Sequence, residues 1–302
     1  MATNYDVIVI GEGVAGLTAA GDLAQAGLRV ATIEAQLFGG LIININELDP
    51  APAGSTGGGA EYASLLVEAA ANAGVNSINE PVNAIESAGG TFKVVTDGGA
   101  HTARAVVVAS GARLKRLGIP GEMEFEGRGV SQCADCDGPM YQNETAVVAG
   151  GGDSALQEAL VLAQYCKEVR LVHRASTFSG REHFQQAVNA EPKIVKIFNA
   201  EVTAVSGGQT VEKISIKHAD GRSEDIAAAG LFAYVGLEPN ADFLPETVKR
   251  DANGFVVAND TLETAAPGIF AVGVVRSGCG GVLDDAIADG KNAAAAIRAR
   301  LA

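Results

Sequence analysis

An α/β fold is predicted by a repeated pattern of apolar strand, glycine-rich turn and small-residue helix, and by a composition poor in aromatic residues. The chain has 302 residues, of which 47% are apolar and 5% aromatic, and it contains no tryptophan. Apolar runs such as "VIVI" suit parallel strands that helices cover on both faces. A chain of this length can form two domains of ordinary size, each with its own core.

The first repeat of this pattern lies at the start of the chain. "YDVIVI" predicts a buried strand, "GVAGLTAAGDLAQAG" a helix and "RVATIEA" a second strand, which together make a βαβ unit. The turn "GEGVAG" places Gly11, Gly13 and Gly16 between strand and helix, and Glu34 ends the second strand. Such glycines let the backbone approach a pyrophosphate at a helix N-terminus, and the acid can accept ribose hydroxyls. The alternative is a tight turn without a ligand.

The second repeat is "TAVVAGGGDSALQEALVLAQYCKEVRLVHRA", residues 145–175. A basic pair stands where Glu34 stands in the first repeat, and a cation there favours a 2'-phosphate, hence NADPH over NADH. The alternative is an exposed basic strand end that meets no ligand. The candidate residues of this second dinucleotide site are Gly150, Gly152, Asp153, Ser154, Ala155, His173 and Arg174.

The remaining segments predict how the two repeats are connected. "TFKVVTDGGAHTARAVVVAS" indicates a hairpin and a buried strand, and "AAAGLFAYVGLEPN" contains another strand before a turn-rich exit. "PGIFAVGVV" and the helix "DDAIADGKNAAAAIRARLA" can return to the first domain. We expect two Rossmann-like three-layer domains, the second (117–243) inserted into a discontinuous first (1–116 and 244–302). The glycine-rich stretch 53–62 predicts a mobile surface loop.

Charge and hydropathy narrow the possible partners. A formal net charge of -14 argues against nucleic acid and anionic membrane surfaces. No apolar run reaches the length of a membrane span, and the first residues enter a strand without a basic leader. We therefore expect a cytoplasmic protein without a membrane or nucleic-acid partner.

The stretch "SQCADCDG" places Cys133 and Cys136 three residues apart in a chain with four cysteines. A zinc site needs a second pair of ligands, but Cys166 and Cys279 are isolated and the histidines are scattered, so no metal is expected. A purely structural disulfide is disfavoured in a reducing compartment. Redox chemistry remains, with Asp137 placed to exchange the accompanying protons.

The segment "GRGVSQCADCDG" followed by "AVVAGGGDSALQEA", together with "VIVIGEGVAGLTAA", "IEAQLFGG", "ASGARLKRLGIPGE", "YVGLEPN" and "PGIFAVG", resembles the low-molecular-weight thioredoxin reductases over essentially the whole chain. The resemblance implies an FAD domain made from both ends of the chain, a central NADPH domain and a homodimer. It implies that Cys136 lies nearer the flavin, that Cys133 attacks the partner disulfide and that Asp137 is the acid. It also adds FAD-binding candidates at Gly40, Gly111, Gly273 and Val282.

The flavin side departs from the family pattern in one stretch. Val274 stands where the family has an acid that holds a flavin hydroxyl, and Gly281 and Val282 replace an Arg-Gln pair. Loss of one charge-assisted hydrogen bond is worth about 1.5–3 kcal/mol, so we expect weaker FAD binding. Cys279 falls in this stretch; it is either a small apolar filler or a third redox sulfur, whereas Cys166 is expected to pack within a helix.

Two further departures concern the electron donor and acceptor. Arg174 is followed by Ala175 where the family has a second arginine, with Arg181 as the next cation, so NADH remains possible beside NADPH. Asp135 adds negative charge between the cysteines, which should raise their thiol pKa. "GPMYQ" lacks the aromatic pair often found after the cysteines, which leaves a thioredoxin-like protein or a small-molecule disulfide as partner.

The sequence therefore predicts an FAD-dependent, thioredoxin reductase-like disulfide oxidoreductase. Electrons would pass from NADPH through FAD and the Cys133/Cys136 disulfide to an external disulfide. Two alternatives stay open at this point. One is a dithiol oxidase that reduces O2 through FAD, and the other is a flavoprotein-derived binding or sensing module.

Overall fold

The computed structural model describes residues 4–45, 48, 51–52, 54–55 and 57–302. The chain forms two compact units. Met1–Arg113 and Glu238–Ala302 make the first, and Leu114–Leu237 make the second. Each unit is a mixed α/β structure with a parallel sheet at its centre, which confirms the predicted fold class.

The helices and strands follow the apolar runs and glycine turns of the sequence. The strands are β1 Asn4–Ile10, β2 Val30–Glu34, β3 Asn76–Asn79, β4 Val82–Ala88, β5 Thr91–Thr96, β6 Gly99–Val108, β7 Ala112–Leu114, β8 Val130–Ser131, β9 Thr145–Gly150, β10 Glu168–His173, β11 Ile194–Phe198, β12 Ala200–Gly207, β13 Val211–His218, β14 Ser223–Ala227, β15 Gly230–Tyr234, β16 Leu237–Pro239 and β17 Ile269–Ala271. The α-helices are α1 Val14–Gln25, α2 Gly59–Asn72, α3 Ala134–Asp137, α4 Asp153–Tyr165, α5 Glu182–Ala190 and α6 Leu283–Leu301, and short 3-10 turns cover Gly40–Asn44, Gly138–Tyr141 and Gly273–Val275.

The first unit is built on a sheet of order β3-β2-β1-β6-β5-β4, with β17 also paired to β6. The pairs among β3, β2, β1, β6 and β17 are parallel, and the β4–β5 hairpin joins antiparallel. Alternate residues of β1 enter different cores: Val7 and Val9 pack with α1 and α6, whereas Ile8 and Ile10 pack on the opposite face. The "VIVI" run is therefore buried on both faces, as a central parallel strand requires.

The second unit repeats the arrangement with a parallel sheet of order β11-β10-β9-β15-β8. One face is covered by α4 and α5, through residues such as Leu156 and Val188. The other face is covered by the antiparallel sheet β12-β13-β14, through Val202, Ile214 and Ile216. The unit thus has three layers around the strand-turn-helix segment that the sequence predicts as its dinucleotide site.

The chain passes from one unit to the other close to the predicted boundaries. The divisions lie at 113/114 and 237/238, and the predicted ones at 116/117 and 243/244. Leu117 already packs in a core of the second unit. Ala241 and Leu244 lie in a core of the first unit, and Asn240 bonds to Ser110 there through both its backbone carbonyl and its side-chain amide. The apolar residues beside the turns, more than the turns themselves, decide the division.

One local prediction is wrong. Residues 59–62, predicted to belong to a mobile loop, form the first turn of α2, whereas 53 and 56 lie outside the described residues. Gly59 is buried, and a side chain there would overlap the carbonyl oxygen of Ile42. The glycine permits a close backbone approach that starts the helix. Within the described part of the chain, no helix combines the length and apolar character needed to cross a membrane.

Candidate dinucleotide and redox sites

The first glycine turn connects β1 to α1 in a conformation that requires glycine. Gly11 has a φ of 106°, and a side chain there would overlap the carbonyl oxygen of Ala109 at the end of β6. A side chain at Gly16 would overlap the carbonyl oxygen of Gly11. These two glycines bring strand and helix into direct backbone contact, so the N-terminus of α1 lies at the edge of the sheet.

The space in front of this turn is open. Nothing lies within 4 Å of the position that a Cβ of Gly13 would occupy, and Gly40 is a neighbour of Gly13. Gly13 is the N-cap residue of α1, and no side chain caps this end of the helix. Free N–H groups beside open space form the arrangement that binds a pyrophosphate, so these residues fit a dinucleotide such as FAD.

Glu34 lies at the end of β2, beside the turn. One carboxylate oxygen accepts the N–H of Glu12 at 2.9 Å, and the other accepts the N–H of Gln36 at 3.0 Å. The carboxylate is therefore oriented by backbone groups of the turn and of the strand exit. It retains lone pairs for the two hydroxyls of an adenosine ribose, as predicted for this position.

Glu12 is a buried carboxylate in the turn that the sequence analysis did not assign. It is 6% exposed, and its Oε1 accepts the hydroxyls of Thr32 at 2.5 Å and Ser77 at 2.6 Å. These bonds connect the turn to β2 and β3. In the sequence, Glu12 stands out only as a charged residue between two glycines. Its role could not be predicted from there, because its partner Ser77 is 65 residues away.

The other predicted FAD-binding residues of the first unit follow strand ends or start a helix. Gly111 follows β6, and Gly273 follows β17 and lies against Ala15 in the first turn of α1. Val282 is the N-cap residue of α6 and is exposed. Of the predicted positions outside the first turn, the structure places Gly40 and Gly273 against it.

A buried ion pair holds the segment after β17 where the family acid is missing. Asp289 of α6 is 4% exposed, and its Oδ2 accepts the N–H of Gly273 at 2.8 Å. Arg276 binds both carboxylate oxygens, with Nε–Oδ2 2.6 Å and Nη2–Oδ1 2.7 Å. Sequence analysis missed this pair because the two residues lie on different elements. It fixes the segment that carries Val274, which is itself partly exposed.

The second glycine turn connects β9 to α4 and repeats the geometry of the first. Gly150 has a φ of 148°, and a side chain there would overlap the carbonyl oxygen of Tyr234 on β15. Ala155 is buried at the position of the third glycine. Gly152 is the N-cap residue of α4 and has no side-chain cap, and the atom nearest to the position that a Cβ would occupy there is the Ser179 hydroxyl oxygen at 4.0 Å. These residues fit a second dinucleotide.

Of the basic side chains near the end of β10, some are already engaged by other groups of the protein. His173 lies with its ring against Gly151. Burial lowers its pKa and so does the charge of Arg174, whereas the hydrogen bond that the ring donates to the backbone of Thr177 raises it. Arg174 is exposed. Arg181, in contrast, is held by Asp153, which accepts its backbone N–H and its Nε, both at 2.6 Å. Arg174 is the cation that remains for a 2'-phosphate at this strand end.

The redox pair lies in the second unit, just after β8. Cys133 and Cys136 form a disulfide with a Cα–Cα distance of 5.3 Å. The N–H of Cys136 donates to the Sγ of Cys133 at 3.2 Å, and the N–H of Cys133 donates to the hydroxyl of Ser131 at 3.1 Å. Cys136 is exposed and Cys133 is partly buried. Asp137 follows directly and is also partly buried.

The two remaining cysteines are unbonded. Cys166 is buried at the end of α4, and burial raises its pKa to about 11, so it stays a neutral thiol that packs in the core. Burial also raises the pKa of Cys279, with an opposing hydrogen bond from the backbone of Gly281. Neither thiol is activated as a nucleophile.

A bonded CxxC pair beside a dinucleotide turn, in a chain with a second such turn, defines a disulfide oxidoreductase that uses dinucleotide cofactors. Comparison with known proteins agrees. The family model for pyridine nucleotide-disulphide oxidoreductases matches residues 5–296. A thioredoxin reductase of Treponema pallidum is 37% identical over 279 residues, which cover 92% of this chain and 91% of the relative.

Two further matches extend this comparison. A bifunctional thioredoxin reductase/thioredoxin of Mycobacterium leprae is 36% identical over 90% of this chain and 60% of its own length. The crystal structure of Lactococcus lactis thioredoxin reductase, in its FR conformation, superposes with a TM-score of 0.94 at 34% identity, covering 98% of each chain. The chain therefore belongs to the pyridine nucleotide-disulphide oxidoreductase family, in its low-molecular-weight thioredoxin reductase group. It is a flavin-dependent disulfide oxidoreductase of thioredoxin reductase type.

Proposed function

We propose that the protein reduces the disulfide of a thioredoxin-like protein at the expense of NADPH. The observation that carries this proposal is the Cys133–Cys136 disulfide on the unit that also holds the second dinucleotide turn. The relative that joins a thioredoxin reductase to a thioredoxin in one chain supports the choice of partner. We further propose that the enzyme works in the cytoplasm as a homodimer, as the family resemblance implies.

Each dinucleotide would use one of the two glycine turns. FAD would be held in the first unit by Gly11, Gly13, Gly16 and Glu34, together with the positions at Gly40, Gly111, Gly273 and Val282. NADPH would be held in the second unit by the turn from Gly150 to Ala155, with Arg174 at its 2'-phosphate. Bound FAD would supply the two-electron chemistry that connects the nicotinamide to the disulfide.

The cysteine pair carries out the exchange with the partner. After two-electron reduction, the Cys133 thiolate attacks one sulfur of the partner disulfide, which gives a mixed disulfide and releases one partner thiolate. The Cys136 thiolate then attacks the Sγ of Cys133, restores the Cys133–Cys136 bond and releases the second partner thiol. Asp137 would accept the proton of the Cys136 thiol as that sulfur attacks and pass it to the departing partner thiolate, which leaves Asp137 ionised again.

The order of attack can be assigned by experiment. Cys136 is the more exposed residue of the pair, whereas the family resemblance gives the attack to Cys133. Single serine variants decide between them, because only the attacking cysteine, left alone, captures the partner as a stable mixed disulfide.

The experiment that tests the function is an anaerobic titration of the purified protein, first with NADPH and then with NADH, while flavin absorbance is followed. The wild type should take up four electrons per subunit, two in the flavin and two in the disulfide. Cys136→Ser should take up two. Cys279→Ser, as the control, should still take up four. Uptake of two electrons by the wild type, with the disulfide intact, would disconnect the pair from the flavin and remove the proposal.

A second function is favoured by the state of the basic strand end. Arg181 is engaged by Asp153 and residue 175 is alanine, so the 2'-phosphate site is reduced to Arg174. If neither nucleotide reduces the flavin, the same cysteines and flavin would catalyse the oxidation of a dithiol. The substrate dithiol would then reduce the Cys133–Cys136 bond, and O2 would take the electrons from the flavin. Oxygen consumption with a dithiol and without nucleotide measures this activity directly.

A further inference from the structure

Glu158 is a carboxylate that contacts the redox segment, and the scheme above gives it no role. It lies on α4, and its Oε2 accepts the N–H of Ala134, the residue between Cys133 and Asp135, at 2.9 Å. The same oxygen accepts the hydroxyl of Tyr234 on β15 at 3.1 Å. One carboxylate therefore joins the cysteine segment to a helix and a strand of the second unit.

Among the described residues, the groups that act on this carboxylate include no cation. Ala134 is fully buried and Tyr234 is 7% exposed. The ionisable side chains that act on Glu158 are Tyr234, through its hydroxyl, and Asp135, through like charge. Burial raises the pKa of Glu158, against the hydrogen bonds from Ala134 and Tyr234, which lower it. Burial also raises the pKa of Tyr234, so its hydroxyl stays a donor.

The adjacent sulfur depends on few donors. In the described structure the Sγ of Cys133 accepts one backbone N–H, that of Cys136. Glu158 accepts the N–H of Ala134, the residue that directly follows Cys133. When ionised, its carboxylate therefore adds a negative charge close to a sulfur that one backbone N–H stabilises. That charge favours the neutral thiol over the thiolate when the disulfide is reduced.

We propose that Glu158 is a positioning residue that sets the thiol–thiolate balance of Cys133 in the reduced enzyme, a role that rests on the proposed disulfide chemistry. Two-electron reduction of the Cys133–Cys136 bond yields two thiolates, and uptake of one proton converts one of them to a thiol. With Glu158 ionised, that proton resides on Cys133. With Glu158 protonated, Cys133 keeps its negative charge and is the stronger nucleophile.

The test measures the protonation of Cys133 itself and needs no turnover. The full-length Cys136→Ser protein is reduced with dithiothreitol, desalted anaerobically and alkylated with iodoacetamide between pH 5 and 10. Mass spectrometry of the Cys133 peptide gives the alkylation rate at each pH. Because the thiolate is the reactive form, the midpoint of the profile is the apparent pKa of Cys133.

Glu158→Gln in this background should lower the apparent pKa of Cys133 by about one unit, because glutamine can still accept the Ala134 N–H but carries no charge. Alkylation well below both midpoints should then be about threefold faster, because the tenfold rise in thiolate is partly offset by the lower nucleophilicity of a less basic thiolate. Glu182→Gln, an equal charge change at an exposed position on α5, should leave the profile unchanged. If Glu158 has a purely structural role, Glu158→Gln will lower the thermal stability and leave the midpoint of the Cys133 profile unchanged.

Tyr234→Phe provides an independent variant if Glu158→Gln fails to fold. It removes the hydroxyl that stabilises ionised Glu158, so the carboxyl protonates more readily and the Cys133 midpoint should move down by a smaller amount. Unchanged midpoints in the folded variants would overturn the proposal. A wild type that takes up only two electrons would instead refute the disulfide chemistry, so the two failures are distinguishable.

Discussion

The two glycine turns share a backbone and differ in the charges around it. Gly11 and Gly150 both have positive φ, and a side chain at either would overlap a carbonyl oxygen of the neighbouring strand. Both turns lead into helices without a side-chain cap, and a Cβ at the second glycine of either turn would meet no atom closer than 4.0 Å. The spacing of glycines after an apolar strand therefore determines the shape of both turns.

The charged groups beside the turns are opposite in sign. In the first unit, Glu34 is oriented by the backbone N–H of Glu12. In the second, Asp153 occupies the turn and is neutralised by Arg181, which leaves Arg174 exposed. The glycines thus determine the shape of each turn, and under the proposed function the strand-end side chain would select the ribose that binds there.

The largest expected effect is on the shared backbone. Gly11→Ala should lower the free energy of unfolding by on the order of 3 kcal/mol, because it combines strain at positive φ with overlap at Ala109. Gly13→Ala, the matched control, should leave stability within about 0.5 kcal/mol and reduce bound flavin instead. Urea unfolding measures the stability, and the flavin-to-protein absorbance ratio measures the bound flavin. Equal stability of both variants would contradict the distinction.

The next effect concerns the strand-end acid of the first unit. Glu34→Ala should raise the dissociation constant for FAD roughly 10–100-fold, the equivalent of about 1.5–3 kcal/mol for charge-assisted hydrogen bonds. Flavin titration of the deflavinated protein measures it. Glu68→Ala, an exposed acid on α2, serves as control and should bind FAD as the wild type does. If Glu34→Ala also retains wild-type affinity, the ribose is not bound at this strand end.

Features formed by residues close together in the sequence could be predicted, and features formed by distant residues could not. Both βαβ units, the late strand and the last helix follow from local patterns of glycine and apolar residues, and their prediction is confirmed. The observed second boundary differs from the predicted one because Ala241 and Leu244 pack in a core formed by distant strands. The start of α2 was missed because Gly59 reads as a loop residue until its contact with Ile42 is known.

The polar contacts at the sites were the part that sequence patterns did not reveal. Glu12 meets Ser77 across 65 residues, and Glu158 meets Tyr234 across 76. Asp289 and Arg276 are closer, 13 residues apart, but they join a loop to a helix. None of these pairs lies at a spacing that helix or strand periodicity brings together. The residues in the glycine turns and the CxxC pair could be predicted because their spacing is local.

A smaller effect tests the basic strand end. Arg174→Ala should raise the KM for NADPH by about five- to tenfold and leave that for NADH unchanged, since an exposed arginine contributes about 1 kcal/mol to the 2'-phosphate. Arg181→Ala should affect both nucleotides alike, because it exposes the charge of Asp153 beside the turn. Steady-state kinetics with each nucleotide distinguishes the two. An equal effect of Arg174→Ala on both would remove the argument for NADPH.

The smallest effect is expected where this chain departs from its family. Val274→Asp should restore a carboxylate beside the first turn and lower the dissociation constant for FAD by about threefold. The gain is smaller than a full charge-assisted hydrogen bond, because the new carboxylate follows Gly273, whose N–H binds Asp289, and Arg276 only partly offsets the repulsion between the two carboxylates. Val274→Asn, similar in shape but uncharged, should give a lesser gain. Flavin retention after gel filtration ranks the three proteins, and if Val274→Asp retains no more flavin than the wild type, the segment held by Asp289 binds the cofactor without that acid.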